Sequence, residues 1–185
     1  MNIIANKDID EDMLQKITVL EHDVFGDEQS VDPVTYRKMH AKRDAGIFCL
    51  VDDGGEPIGF ADAIFITDEQ KEEYLRDGNF RILKNIGARV GDDNILYLFG
   101  LALRKDYRST GVVLRIAKCF AKWLGELDES GVKVKFTFTE TISADGVRFA
   151  KAMGMHPMDE QGLKPDGSGF YYSPDNLAKF VKRFA

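Results

Sequence analysis

The most informative segment of the sequence is Leu101-Ala-Leu-Arg-Lys-Asp-Tyr-Arg-Ser-Thr-Gly-Val-Val-Leu-Arg-Ile-Ala117. An apolar run ends, a basic polar turn follows, and a helical pattern begins at Gly111. Such a connection directs backbone N–H groups and the positive end of a helix dipole towards the turn, beside Arg108. A pyrophosphate needs this combination of donors and close backbone approach. An ordinary connection with a solvated arginine fits the spacing equally well, because one glycine at a helix start is common.

Patterns on both sides of this stretch predict a mixed α/β fold. The run 95–103 is almost wholly apolar, which predicts a central strand covered on both faces. Turn residues between 47–51 and 58–65 predict an antiparallel hairpin. The other expected strands are 1–5 at an edge, 132–138 and 169–173. The first expected helix is capped by Asp8 or Asp10 and ends at Gly26. The others are 32–42, a short polar helix at 68–77, 111–127, 144–153 with Ser143 as its cap, and 174–185. A long loop is expected at 78–94.

Composition and charge narrow the class of protein. The 185 residues suit one domain, residues 1–185, with an apolar content of 44% and a charged content of 30%. The net charge of −6 argues against nucleic-acid or anionic-membrane partners and would tolerate an amine substrate. Cys49 and Cys119 are expected to be reduced thiols, which suits a cytoplasmic protein. No apolar run reaches the roughly 20 residues that span a bilayer.

Two motifs in the sequence resemble those of one family. Arg108-x-x-Gly111-x-Val113 after a strand resembles the phosphate-binding signature of the GNAT superfamily of N-acetyltransferases, which has Gln or Arg, two residues, Gly, one residue, then Gly or Ala. Ser143-Ala-Asp-Gly-Val-Arg-Phe-Ala-Lys-Ala-Met-Gly-Met155 resembles the family's later helix, Asn-x-x-Ala-x-x-Leu-Tyr-x-x-x-Gly-Phe. The order of elements also matches, over about residues 3–172. The resemblance implies a mostly antiparallel, twisted sheet flanked by helices and splayed at the central strand, and an acetyl-CoA-dependent N-acetyltransferase.

The resemblance also implies where acetyl-CoA binds. In this family the coenzyme lies in a V-shaped gap, here between 95–103 and 132–138. Its pantetheine arm would bind the backbone of Leu101, Ala102 and Leu103, where an N–H group would also stabilise the oxyanion. The residues expected around the pyrophosphate and the arm are Arg108, Ser109, Thr110, Gly111, Val112, Val113 and Ser143. The candidates for the adenosine 3′-phosphate, of which one or two would reach it, are Arg104, Lys105, Arg115, Lys118, Arg148 and Lys151.

The sequence departs from the family's pattern at catalytic positions. Ala150 stands where many members have the tyrosine that protonates the departing thiolate, and the central strand holds no acidic residue, unlike that of many relatives. Glu140, at the end of the following strand, is the first candidate for the general base, with a solvated carboxylate as the alternative interpretation. Other candidates at the acceptor pocket are Glu21, His22 and Asp23. Candidate proton donors are Tyr171 and Tyr172, because the last strands of this fold wall the site, and then Tyr97 and Tyr107, although a packed aromatic ring is the commoner role.

Alternatives from other classes stay open at this point. A GNAT-fold module could bind an acyl-CoA without turnover, as a sensor or interaction domain, and the loop 78–94 could cover a longer acyl chain. Nucleotide-binding glycine motifs and a His-Glu-x-x-His zinc motif do not occur, so no metal is expected. The expected acceptor is a small-molecule or peptide amine. Members of this fold often pair through edge strands or helices, so a homodimer is a further expectation.

Overall fold

A seven-stranded sheet forms the centre of the chain in a computed structural model, with strand order β1-β2-β3-β4-β5-β7-β6. The structure describes residues 1–26, 30–31, 33–41, 46–77, 93–108, 111–174 and 177–184. Neighbouring strands are antiparallel except for β4 and β5, which are parallel. The strands are β1 (Asn2–Ala5), β2 (Gly46–Val51), β3 (Pro57–Ile66), β4 (Asp93–Leu103), β5 (Lys133–Thr141), β6 (His156–Pro157) and β7 (Gly169–Ser173).

Six α-helices in the described residues cover the two faces of this sheet. They are α1 (Glu11–Phe25), α2 (Pro33–His40), α3 (Asp68–Asp77), α4 (Val113–Glu129), α5 (Ala144–Ala152) and α6 (Ala178–Phe184). Alternate residues of β2 separate the faces, since Phe48 packs with α4 and α6 whereas Cys49 packs with α1 and α2. Helix α3 lies on the same face as α1 and α2, where its Tyr74 packs against β4 and β5. We call these the α1–α3 face and the α4–α6 face.

Local sequence accounts for the ends of the helices that frame the site. The Asp10 carboxylate accepts a hydrogen bond from the Met13 N–H at 2.8 Å and starts α1, and Gly26 ends it with a φ of 76°. Ser143 caps α5 as predicted, with its Oγ accepting from the Gly146 N–H at 3.2 Å. None of the helices in the described ranges has the length and apolar character that a bilayer crossing requires.

The central strand β4 separates from β5 halfway along its length. Pairing between them runs from Asp93 to Tyr97, which lies opposite Phe138, and the Thr139 hydroxyl then donates to the Leu98 carbonyl at 2.9 Å. Beyond that point β4 stays paired with β3 alone. Because the Arg104 N–H donates to the Ile58 carbonyl, strand alternation turns the N–H and C=O groups of Leu101 and Leu103 to the open side. The predicted splay at the central strand is therefore confirmed.

Most predicted elements are confirmed, and the differences lie at their ends. Helix α4 begins at Val113 rather than Gly111, because Gly111 adopts a left-handed φ of 74°. Strand β5 continues to Thr141, three residues past its predicted end at 138, and helix α6 begins at 178 rather than 174. The two-residue strand β6 was not predicted, since it is too short to show a period. Most of the predicted loop 78–94 lies outside the described residues.

Candidate functional site

The turn between β4 and α4 forms an open helix N-terminus. Arg108 follows a single 3-10 turn, and its Nε donates to the Leu103 carbonyl at 3.0 Å. This hydrogen bond ties the turn to the last residue of β4. Val112 occupies the N-cap without a side-chain hydrogen bond, and the first turn of α4 contains no acidic residue. By helix geometry the N–H groups of Val112 and Val113 have no acceptor within the helix. The positive end of α4 is therefore available to an anion.

The predicted cofactor residues follow one line along the open edge of β4. The N–H and C=O groups of Leu101 and Leu103 face the gap, while the side chain of Ala102 is buried on the α1–α3 face. Ser143 follows the end of β5, which runs parallel to β4, so both strands deliver their carboxyl ends to the same edge. Two predicted residues, Ser109 and Thr110, lie outside the described residues. The order strand edge, turn and helix start suits a long ligand that ends in a pyrophosphate.

The predicted base Glu140 belongs to a hydrogen-bonded chain on the α1–α3 face. The Tyr97 hydroxyl donates to the Tyr74 hydroxyl at 2.9 Å, and the Tyr74 hydroxyl donates to Glu140 Oε2 at 2.8 Å. The Tyr97 ring stacks on Phe138 with centroids 4.7 Å apart, at the last paired position of β4 and β5. Burial raises the pKa of both tyrosines, so they stay protonated and act as donors. We call Tyr97, Tyr74 and Glu140 the tyrosine–glutamate network.

A second polar group lies on the same face, beneath α1 and α2. The Tyr36 hydroxyl donates to Asp62 Oδ2, and Glu21 Oε1 accepts from the Val31 N–H at 3.3 Å. Asp62 Oδ1 and Glu21 Oε2 have no hydrogen-bond partner in the described part of the chain, although both residues are only 2% exposed. Burial and then the nearby Asp62 raise the pKa of Glu21 to about 8, and burial raises the pKa of Asp62 to about 7. We call Glu21, Asp62 and Tyr36 the buried carboxyl cluster.

Sequence reasoning missed Tyr74, Asp62 and Tyr36. Tyr74 lies in a helix that is otherwise strongly polar, where an aromatic residue was the one available signal. Asp62 is the only charged residue in the apolar strand β3, and an acid in such a run signals a buried polar site. Tyr36 was assigned to the body of α2, and its contact with β3 depends on the tertiary fold. None of the three belongs to a sequence motif.

The two tyrosines predicted as first proton donors lie on opposite faces. Tyr172 stacks on Phe136, with centroids 5.5 Å apart, on the face that carries the tyrosine–glutamate network. Tyr171 is fully buried on the α4–α6 face, and its hydroxyl donates to the Gly167 carbonyl at 2.9 Å. Tyr172 therefore suits the predicted role, whereas the position of Tyr171 argues against it. Ala150, at the family's usual tyrosine position, is also buried in the core of the α4–α6 face.

The remaining candidates lie nearer the surface. His22 and Asp23 are exposed on α1, and the Tyr107 ring lies 5.7 Å from the Arg104 guanidinium. Arg115 donates to the Met1 carbonyl at 2.7 Å, and Arg148 pairs with Asp145. An open groove of about 840 Å³ runs between α1 and the end of β4, and two of the candidates for the 3′-phosphate, Arg104 and Lys105, line it beside Arg108. Lys118 and Lys151 are exposed on α4 and α5.

The sequence as a whole identifies the class. Residues 14–155 match the sequence profile of the Acetyltransferase (GNAT) family, so the chain belongs to that family. This match covers more than half of the 185 residues and includes β4, the turn and α4. It confirms the predicted family, and with it the predicted class, an N-acetyltransferase, and the predicted co-substrate, acetyl-CoA.

Solved structures of acetyltransferases share this fold. NAA60 of Arabidopsis thaliana, bound to a bisubstrate analogue, is 16% identical with a TM-score of 0.63, covering 93% of this chain and 97% of that one. The aminoglycoside 6'-N-acetyltransferase AAC(6')-Ih of Acinetobacter baumannii is 13% identical with a TM-score of 0.56, covering 85% and 92%. The ribosomal-protein-S18-alanine N-acetyltransferase of Escherichia coli is 14% identical with a TM-score of 0.53, covering 92% and 91%. The sequence has no match among curated proteins.

Proposed function

We propose that the chain moves the acetyl group of acetyl-CoA to a primary amine, by direct attack through a tetrahedral intermediate. The observation that carries the proposal is the open edge of β4, which leads from the tyrosine–glutamate network to the uncapped start of α4. This geometry suits a thioester at one end of a long ligand and a pyrophosphate at the other. A carboxylate, Glu140, lies on the strand that borders the gap.

The binding part of the proposal assigns the cofactor to backbone groups. Val112 and Val113 would donate their N–H groups to the pyrophosphate, Gly111 leaves room for it, and Arg108 adds a positive charge. The N–H and C=O groups of Leu101 and the N–H group of Leu103 would pair with the pantetheine amides as an added strand would, since the Leu103 carbonyl already accepts from Arg108. The roles of Ala102, Ser109, Thr110 and Ser143 stay predictions from the resemblance. An apolar strand suffices for this task because the arm is bound through the backbone.

The chemical part of the proposal follows the protons of the acceptor. An ammonium group gives up one proton before attack and a second as its nitrogen bonds to the thioester carbon. Glu140 would take the second proton, and Tyr172 would give one to the thiolate as the C–S bond breaks, with solvent restoring both groups. Tyr74 and Tyr97 would hold the Glu140 carboxylate in place. A backbone N–H at the open edge of β4 would stabilise the oxyanion of the tetrahedral intermediate.

The acceptor is proposed only by class, as a small-molecule or peptide amine. NAA60 was solved with a bisubstrate analogue, and the Escherichia coli and Acinetobacter relatives are named as an alanine and an aminoglycoside N-acetyltransferase. A net charge of −6 favours a cationic acceptor. The absence of acids from residues 95–103 of β4 and the Ala150 substitution favour the second candidate, a module that binds acyl-CoA without turnover. A single domain, a cytoplasmic location, a homodimer and the lack of nucleic-acid or membrane partners stay predictions.

The test is a thiol-release assay with acetyl-CoA and a panel of amines: spermidine, kanamycin, and peptides with free Ala and Met termini. The proposal predicts steady thiol release with at least one amine and a much slower rate for Glu140→Gln. Binding of acetyl-CoA without release above the amine-free rate would favour the silent module instead. Equal rates for wild type and Glu140→Gln would remove Glu140 from the mechanism.

A further inference from the structure

We propose that Asp62, with Glu21 behind it, is the site at which the acceptor's ammonium group binds and gives up its first proton. The inference rests on the proposed function, because it presupposes an amine acceptor. It adds a binding residue that neither the motifs nor the family match indicates. It also assigns the two protons that the acceptor nitrogen loses to two different carboxylates, the first to Asp62 and the second to Glu140.

The position of Asp62 is the first argument. Asp62 pairs with Gly100, at the irregularity in the β3–β4 register and beyond Tyr97, the last residue of β4 that pairs with β5. A Cβ atom on Gly100 would lie 2.7 Å from Asp62 Oδ1 and 3.2 Å from the Phe60 ring. The carboxylate therefore lies directly against the β4 backbone where its open edge begins. In the proposed function that edge holds the thioester.

The unpaired oxygen atoms are the second argument. Asp62 Oδ1 and Glu21 Oε2 are buried without a hydrogen bond of normal geometry, although the nearby Gly100 N–H lowers the pKa of Asp62 against the larger effect of burial. Neither carboxylate forms an ion pair within the described residues. Buried carboxylates normally have donors, because burial of an unpaired one costs free energy. An ammonium group carries three N–H donors and a positive charge, which is the complement of these two oxygens. A neutral hydroxyl acceptor would supply one donor and no charge.

The groups around Asp62 come from every element packed on it. Glu21 faces it from α1, Tyr36 from α2 and Tyr97 from β4, while Cys49 of β2 lies close to Tyr36. All of them are acidic or neutral side chains. Burial raises the pKa of Asp62 to about 7 and that of Glu21 to about 8, so a proton can be held there in the neutral range. The pKa of Tyr97 is raised first by burial and by Tyr74, and then by the charges of Glu140 and Asp62.

The proton and bond changes balance as follows. One N–H bond of the ammonium breaks and its proton passes to Asp62 Oδ1, which leaves a neutral amine with a free electron pair. That pair forms the C–N bond to the thioester carbon, and Glu140 takes the second proton. The C–S bond breaks and Tyr172 protonates the thiolate. Tyr172 regains a proton through solvent as Glu140 loses the one it took, and Asp62 returns its proton to solvent. The net products are an N-acetylamine, free coenzyme A and one proton.

The test uses n-butylammonium chloride as a probe on the full chain, saturated with acetyl-CoA, with n-butanol at matched ionic strength as the uncharged control. Carboxyl-carbon NMR should show that n-butylammonium shifts the Asp62 signal and lowers the pKa of Asp62, and that n-butanol does neither. Asp62→Asn keeps an acceptor for Tyr36, and Glu21→Gln keeps one for Val31. Both should weaken n-butylammonium binding by about tenfold or more without changing the acetyl-CoA Kd.

The outcomes separate this inference from the proposed function. An unchanged Asp62 signal in protein that binds acetyl-CoA would overturn the inference and leave the proposed function standing. Failure of the wild-type chain to bind acetyl-CoA would overturn the proposed function and the inference with it. The wild-type titration decides the matter even if Asp62→Asn does not fold.

Discussion

Two polar regions flank the same stretch of β4, on the same face of the sheet, and they differ in how their polar atoms are satisfied. In the tyrosine–glutamate network each hydroxyl donates to the next group, and the chain ends on Glu140. In the buried carboxyl cluster, two carboxylate oxygens have no donor among the described residues. Burial and the charges of Tyr74, Glu140 and Asp62 all raise the pKa of Tyr97, so its ionisation is coupled to the charges of both regions.

The difference indicates that the two regions have different roles in the reaction. A chain of satisfied hydrogen bonds fixes a side chain in one position, which suits a group that must meet a reacting atom with correct geometry. Unpaired buried oxygens cost stability in the free protein and gain a partner only when a cation arrives. The first region is thus arranged before the substrate binds, and the second is completed by it. Loss of Glu140 and loss of Asp62 should therefore have different effects.

The largest expected effect is on turnover. Glu140→Gln keeps the shape of the side chain and an acceptor for Tyr74 but removes the base, so kcat should fall by about 100-fold to 10,000-fold. Steady-state thiol release measures it. Glu126→Gln on the exposed side of α4 is the matched control and should leave kcat unchanged. A Glu140→Gln enzyme with wild-type kcat would show that the satisfied region has only a structural role.

The pH dependence of stability should come from the buried carboxyl cluster. The pKa values of Asp62 and Glu21 rise from 3.8 and 4.5 in the unfolded chain to about 7 and about 8 on folding. Their contribution is therefore complete below the unfolded values and is lost as pH rises through the folded values. The unfolding free energy should fall by several kcal/mol between about pH 4 and pH 9, because one unit of pKa shift corresponds to about 1.4 kcal/mol.

Urea unfolding across that pH range measures this loss. Asp62→Asn and Glu21→Gln should each flatten the slope, and Glu160→Gln is the matched control because that carboxylate is exposed. If the unfolding free energy of the wild type instead rose over this pH range, the cluster would be ionised in the folded protein and stabilised by contacts other than these.

A substitution that disturbs the contact between β4 and Asp62 should have an effect of intermediate size on stability. Gly100→Ala would place a Cβ atom 2.7 Å from Asp62 Oδ1, so the unfolding free energy should drop by about 1–3 kcal/mol. Gly125→Ala in helix α4 is the control, since nothing lies within 4 Å of its Cβ position, and it should be neutral or stabilising by up to about 1 kcal/mol. Thermal unfolding of the two variants compares them. Equal stability of the two would contradict the close approach of the carboxylate to β4.

The smallest expected effect comes from the network's middle member. Tyr74→Phe removes the donor to Glu140 and should cost about 0.5–1.5 kcal/mol of stability, with a several-fold lower kcat. In a double-mutant cycle with Glu140→Gln the effects on kcat should not add, because both changes act on the same hydrogen bond. Tyr172→Phe serves for comparison, since it should lower kcat without being coupled to Tyr74. If the effects of Tyr74→Phe and Glu140→Gln on kcat were additive, the two residues would act independently.

Sequence patterns predicted the frame of the site better than its polar groups. The run 95–103, the turn at Arg108 and the helix after Gly111 were predictable because apolar periodicity and glycine report local backbone conformation. Glu140 was predicted as the base from its place at a strand end, and its role stays a prediction. Asp62 and Tyr36 meet across 26 residues of sequence, and Tyr74 and Glu140 across 66, and no local pattern carries such contacts. Burial, and with it the raised pKa of Asp62, appears only when the helices of the α1–α3 face close over the sheet.

The most direct test of the central claim, an acetyl-CoA site at the start of α4, is a calorimetric titration with acetyl-CoA. Wild type, Arg108→Ala and Gly111→Trp would be compared with Gly55→Trp, a control whose glycine also has a positive φ and open space around it. We expect wild type and Gly55→Trp to bind acetyl-CoA with micromolar affinity, and the Arg108 and Gly111 variants to lose this binding. No binding by the wild type, or binding that both of those variants keep, would contradict the claim.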